Sequence, residues 1–407
     1  MRQGELGGAN CEMLKFLHKS ISMKTPQLYR QLIEQLSQWI VPKDQRHLQG
    51  VAEAVAAILQ SGSACLNKWL PFLSHRDCTA RSHLERLSYL VHNAAIKAQT
   101  FYVPLLHQFL QAFAGTDWLL TLDTSMLWDQ FCLIEVCLVW GGRSILLAQV
   151  VLKHGSATVA FEAYAPLLEQ TLSLLPAASR VTLLADRGFE HGELMRWCER
   201  HHWDWDIRVK CDLQITFTTG TTQSVETLFP PTEQAYLFPH VTVLGDVHAH
   251  LATAMLPTAS EPWAVLSNQP PSLRTFERYG QRFGGIEPHF HDYKSAAFHV
   301  VESHLRDATA LTTLFLLLDI ATLIALILGM MLVRSGQRRL LDAHTDRGLS
   351  FLQLGLRQLQ RLRYQGQPLP LLEPFPRSRP AAAVASQSKR DQLKVSIEFS
   401  RVSIFSY

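Results

Sequence analysis

From Leu311 to Val333 the chain runs for 23 residues in which Asp319 is the one charged side chain. A bilayer's hydrocarbon core takes about 20 apolar residues, so such a run either crosses a membrane or lies buried on every side in a large core. Arg306 and Arg334 flank it as they would flank a span. Asp319 in its interior and the character of the remaining sequence favour the core: no membrane is expected, and a membrane-anchored protein is the alternative. A helix of this kind needs much other chain to cover it. The 407 residues, 47% of them hydrophobic, suffice for one large core and two or three domains. The seven cysteines form no C-x-x-C pair and no zinc-like spacing, and no basic stretch followed by an apolar core marks the N-terminus. Reduced core thiols in a cytoplasmic protein are the expectation.

Charge is divided along the chain. Residues 1–115 carry 12 Lys/Arg against 7 Asp/Glu, and residues 334–407 carry 13 against 5, which leaves the middle 13 against 23. Basic arms around an acidic centre suit a polyanion gripped by its phosphates, with cations bound where chemistry occurs. Two solvated basic flanks would look the same.

Residues 1–115 read as helical. Ser22–Ile40 and Gln49–Gln60 carry apolar residues at three- and four-residue spacing, and Ser61-Gly62-Ser63 breaks the pattern. Arg81 and Arg86 would share a broad helix face of the kind that docks on DNA, although a plain bundle with a solvated face explains them as well. From Trp118 the pattern turns to strands at Trp118–Asp123, Phe131–Trp140 and Ser144–Leu152, the last two joined by Gly141-Gly142-Arg143 as a hairpin turn. Helices over 158–174 and 188–201 then alternate with strands over 181–186 and 205–210. The fold class expected is α/β, a mixed sheet flanked by helices. Ligands should sit beyond the strands' carboxyl ends, where Asp123 and Asp186 each close an apolar run. Residues 211–268, rich in Thr and Val, predict an inserted β subdomain in which His248 and His250 are solvated. The domain limits expected are 1–115 for a helical DNA-end-binding unit, 116–210 and 269–333 for two parts of the sheet domain, 334–375 for a C-terminal helical segment and 376–407 for a disordered basic tail.

Asp123, Asp186 and Glu287, the last on a helix with Arg282 and Lys294 nearby, are the candidate chemistry. Cleaving a phosphodiester calls for an activated oxygen and a stabilised leaving oxygen, and two divalent ions clamped by carboxylates supply both. Hard oxygen donors select Mg2+, with Mn2+ able to substitute. Any one of these acids alone would more often be a cap or a surface charge.

These residues also carry a resemblance. Leu122-Asp123-Thr124-Ser125, Ala185-Asp186-Arg187-Gly188-Phe189 and Tyr279-Gly-Gln-Arg282-Phe-Gly-Gly-Ile-Glu287-Pro-His-Phe-His-Asp-Tyr-Lys294-Ser resemble the three catalytic motifs of DDE transposases. The match is to the bacterial insertion-sequence-four type, whose RNase H-like domain is interrupted by a β insertion, and it spans about residues 118–364. The resemblance implies an enzyme that cuts double-stranded DNA at terminal inverted repeats and joins it to target DNA, working as a homodimer on the DNA in the bacterial nucleoid. Asp123, Asp186 and Glu287 would hold two Mg2+ ions, while Tyr279, Arg282, Lys294 and Arg187 would contact DNA. A related RNase H-like nuclease, or an inactive DNA-binding remnant, is the alternative. The chain departs from the pattern at one place: four residues rather than three separate Arg282 from Glu287. A break at Gly284-Gly285, with a helix beginning near Glu287 and Pro288 in its first turn, would accommodate the extra residue.

Overall fold

The computed structural model describes residues 27–74, 78–176, 179–256, 261–346, 348–376 and 399–405. The N-terminal helices are α1 (Gln27–Leu36), α2 (Gln45–Ser61), α3 (Ala80–Val91) and α4 (Val103–Leu110), with short helical turns between them. Residues 22–26 of the first expected helix lie outside the described residues. Asp44 caps α2, accepting from the Arg46 amide at 2.9 Å, and Gly62 ends it at φ 61. That positive φ is the reason the Ser-Gly-Ser signal stops the helix there.

Strands β1 (Asp117–Leu127), β2 (Phe131–Trp140) and β3 (Arg143–Lys153) form an antiparallel meander. Gly141 and Gly142 take φ of 55 and 76 in the hairpin, as the turn requires. Helix α5 (Phe161–Leu174) leads to β4 (Arg180–Ala185), and α6 (Gly192–Arg200) leads on to β5 (Asp204–Arg208). Both strands run parallel to β1 in the order β3-β2-β1-β4-β5. This is the mixed sheet flanked by helices that the strand pattern predicts.

The β insertion expected over residues 211–268 extends the sheet it interrupts. Its strands β6 (Gln214–Thr216), β7 (Thr222–Ser224), β8 (Gln234–Val243), β9 (Val247–Ala254) and β10 (Trp263–Ser267) continue the same sheet, because β10 pairs antiparallel with β5. The tail is not wholly without structure. β11 (Arg401–Ile404) pairs parallel with β8, and Phe405 stacks on Phe238 at 5.0 Å. Residues 377–398 lie outside the described residues.

Two long helices cover the meander. Helix α7 (Leu273–His291) lies across β1, β2 and β3. Helix α8 (Ala308–Arg334) contains the apolar run, with a mean hydropathy of 2.6, and 89% of its most apolar stretch is buried inside the fold. It packs between α2, α3, β3 and α9 (Phe351–Tyr364), so the chain itself supplies the cover that the run demands. Asp319, 2% exposed, accepts hydrogen bonds from Gln149 Nε2 at 2.5 Å and from the Tyr293 hydroxyl. The N-terminal helices share this core with the sheet rather than forming one of their own.

Candidate metal and nucleic-acid site

β1 and β4 run parallel, and their last paired residues are Leu122 and Ala185. The next residue on each is an aspartate, so register alone sets Asp123 and Asp186 side by side at the edge of the parallel pairing. Asp123 does not end its strand as expected. Continued pairing with β2, through Leu127 opposite Phe131, keeps β1 extended for four more residues. Asp186 does leave the sheet, and its Oδ1 accepts from the Gly188 amide at 2.8 Å to cap the turn that follows.

Helix α7 is continuous through Gly284 and Gly285, contrary to the expected break. Thr275, Phe276, Tyr279, Arg282, Gly285, Ile286, His289 and Phe290 form its buried stripe, at the spacing of one helix face. Gly285 faces β2 and β3, where a Cβ would lie 3.3 Å from Val139 and 3.1 Å from the Ser144 hydroxyl. The glycine serves close packing, and burial of the whole stripe outweighs its weak helix propensity.

The stripe brings two polar groups onto the sheet. Arg282, 5% exposed, donates from a terminal nitrogen to Asp123 Oδ2 at 2.6 Å and lies 3.7 Å from Asp186 Oδ2. Its guanidinium therefore spans both strand-end carboxylates. Asp123 Oδ1 accepts from the Thr124 amide at 2.8 Å. Burial pushes the Asp123 carboxyl up to about 7; Arg282 opposes the push, and the charges of Asp186 and Glu287 add to it. Glu287 itself is exposed on α7, one position beyond the buried Ile286. It lies within the electrostatic reach of Asp123 and Arg282. The donor atoms of the three acids do not all come within 4.8 Å of one another.

Several expected DNA contacts sit elsewhere than a surface. Tyr279 is fully buried and packs edge-on to Trp263 at 5.6 Å. Arg86 pairs with Glu53, which is 3% exposed, because α3 packs against α2 through that contact. Lys294 lies half-buried in the π-helical turn after α7, where burial holds its amine below the usual range. Arg187 is half-exposed and pairs with Glu261 at 3.2 Å. Arg81 is exposed, with a surface pair to Glu85 at 3.0 Å. Trp203 and Trp205 are core residues, and His248 lies outside any ligand cluster among the described residues.

His289, which the sequence offers equally as a DNA or metal contact or as an exposed helix position, is buried instead. His289 is 2% exposed and faces Glu135 on β2 at 3.3 Å. The signal was present in the sequence: Glu135 is the one charge in the otherwise apolar run Phe131–Trp140.

Residues 130–325, just under half of the chain, match a family model described as a transposase DDE domain. The match contains Asp186 and Glu287 and begins after Asp123. No curated protein matches the chain. A cryo-electron-microscopy structure of the piggyBac transposase synaptic complex with hairpin DNA is similar over 95% of this chain and 81% of that one, at 10% identity and a TM-score of 0.43.

Proposed function

We propose that the chain is a DDE transposase, which hydrolyses one phosphodiester at an element end to free a 3′-hydroxyl and then joins that hydroxyl to target DNA. The observation that carries the proposal is the register of β1 and β4. It sets Asp123 beside Asp186 under a helix that carries Glu287, within and next to the stretch matched by the family model.

The residues present fit divalent ions. All three donors are hard carboxylate oxygens, and the two strand-end acids already hold one positive charge between them, the Arg282 guanidinium. Two Mg2+ ions held by Asp123, Asp186 and Glu287 would activate the attacking oxygen and stabilise the leaving one. In this reading Arg282 is a place-holder. It balances the buried Asp123 carboxylate, and with ions held by the acids its guanidinium would be free to face a phosphate. Arg187, Lys294 and Arg81, each with some exposure, position the DNA backbone. The N-terminal helices bind the terminal repeats, two copies bridge two ends, and the work is done on bacterial nucleoid DNA.

Strand transfer tests this directly. A labelled duplex from the DNA flanking the chain's own coding sequence is incubated with the protein, Mg2+ and a supercoiled target plasmid. Covalent joining of label to plasmid is expected. Cleavage without joining would make the protein a nuclease, and binding without cleavage an inactive remnant.

A further inference from the structure

Glu135, Cys137 and His289 form a cluster that the proposed chemistry does not use. Glu135 and Cys137 are two residues apart on β2 and point to the same face of the sheet. His289 meets them from the buried stripe of α7. Their exposures are 0%, 0% and 2%. Among the described residues they are the one set of three such side chains whose donor atoms all lie within 4.8 Å of one another.

The contacts within the cluster are close without being satisfied. His289 Nε2 is 3.3 Å from Glu135 Oε2 yet makes no hydrogen bond, and Glu135 Oε1 has no partner at all. Cys137 Sγ donates a long hydrogen bond to Glu135 Oε2 at 3.8 Å, which leaves Oε1 and the imidazole Nε2 as the unpartnered atoms. A buried carboxylate oxygen and a buried imidazole nitrogen left without partners each cost free energy on the order of 1–3 kcal/mol, which a cation bound between them would recover. Bond lengths of roughly 2.0–2.1 Å to nitrogen, 2.0–2.2 Å to oxygen and 2.3 Å to sulfur put tetrahedral ligand edges near 3.3–3.5 Å. The Glu135–His289 spacing of 3.3 Å is of that size, and the Glu135–Cys137 spacing of 3.8 Å is somewhat longer.

We propose that Glu135, Cys137 and His289 bind a structural Zn2+ ion that pins α7 to β2. Thiolate and imidazole select zinc over magnesium. Glu135, chelating through both oxygens, supplies the third and fourth donors of a four-coordinate site that the carboxylate's short bite distorts from a regular tetrahedron. Thiolate and carboxylate together balance the ion's charge, so the buried site is neutral, and the thiol proton is released to solvent on binding. The ion sits beside the acidic site but not in it. Asp123 and Glu135 are cross-strand neighbours, while His289 is seven residues beyond Arg282 on the same helix face. The inference stands apart from the proposed reaction, since a transposase, a nuclease or a binding remnant would hold this ion alike.

The test is elemental analysis of the full chain purified from zinc-containing medium and passed through a desalting column in EDTA. About one zinc per chain is expected in wild type and in Asp123→Asn, with most of it lost in Cys137→Ser and in His289→Gln. The protein refolded with Co2+ should show a thiolate charge-transfer band in the near ultraviolet that Cys137→Ser abolishes. Zinc content unaffected by either ligand variant, or absent from wild type, would overturn the site. If the ligand variants do not fold, the cobalt spectrum of wild type decides, and a spectrum without the thiolate band rejects the proposal.

Discussion

Asp319 shows how a single buried group couples this fold to pH. Burial drives its carboxyl well above the usual range, Glu135 adds to the push, and the bonds from Tyr293 and Gln149 oppose it. The folded chain therefore keeps a proton that the unfolded chain, with its carboxyl near about 3.9, has released. The stability that comes with this raised value is complete below about pH 4 and declines as pH rises toward the folded value, by at most about 1.4 kcal/mol per pH unit. Asp319→Asn removes the proton and its slope. Melting temperatures measured between about pH 5 and 8 should fall less steeply for the variant than for wild type; parallel curves would contradict the assignment. Arg86 gives a second test at this scale. Arg86→Ala leaves Glu53 buried with only Ser74 to bond it, a loss of about 1–3 kcal/mol. The loss should appear as a lower urea midpoint without any DNA present. An unchanged midpoint would return Arg86 to the list of DNA contacts. Asp123 and Asp186 were legible in the sequence because each follows an apolar run. The inward turn of Arg86, Tyr279 and Arg282 was not, since a charged or polar side chain reads as solvated until its partner from another element is known.

Elements here are held by close approach as much as by propensity. Where α8 crosses α9, a Cβ on Gly329 would lie 1.8 Å from the Phe351 carbonyl oxygen, and one on Gly355 would lie 1.7 Å from that of Ala325. The two backbones touch through paired glycines. Gly329→Ala or Gly355→Ala should therefore cost about 1–3 kcal/mol through overpacking, whereas Gly284→Ala, with nothing within 4 Å, should gain up to about 1 kcal/mol from helix propensity. Chemical denaturation of the three variants checks both signs, and equal effects would show that packing is not the cause. The same logic explains the misplaced break in α7. Locally, Gly284-Gly285-Ile-Glu-Pro288 reads as a helix boundary. In the fold, Gly285 is the contact that seats the helix on β2 and β3. The hairpin glycines and the Gly62 stop were legible because their positive φ is a local requirement.

At the scale of the whole molecule, the described residues form one sheet of 11 strands, ten in line from β3 to β7 and β11 beside β8. Its continuity rests on β5 pairing with β10, Arg208 opposite Val265. No local pattern announces a pairing across that separation, so the sequence shows the insertion but not the strand it pairs with. The apolar run, by contrast, announced a buried helix through its length and Asp319, and α8 lies in the core. The proposed function turns on Asp123 and Asp186 beneath α7 and on Glu287, which α7 carries. The most direct measurement is Mg2+-dependent cleavage of the labelled end duplex by wild type, Asp123→Ala, Asp186→Ala and Glu287→Ala, with binding followed in parallel. The account predicts cutting by wild type only when metal is added, and three variants that bind the duplex without cutting it. A Glu287→Ala protein that still cuts would contradict the triad and move the third ligand elsewhere on the helix.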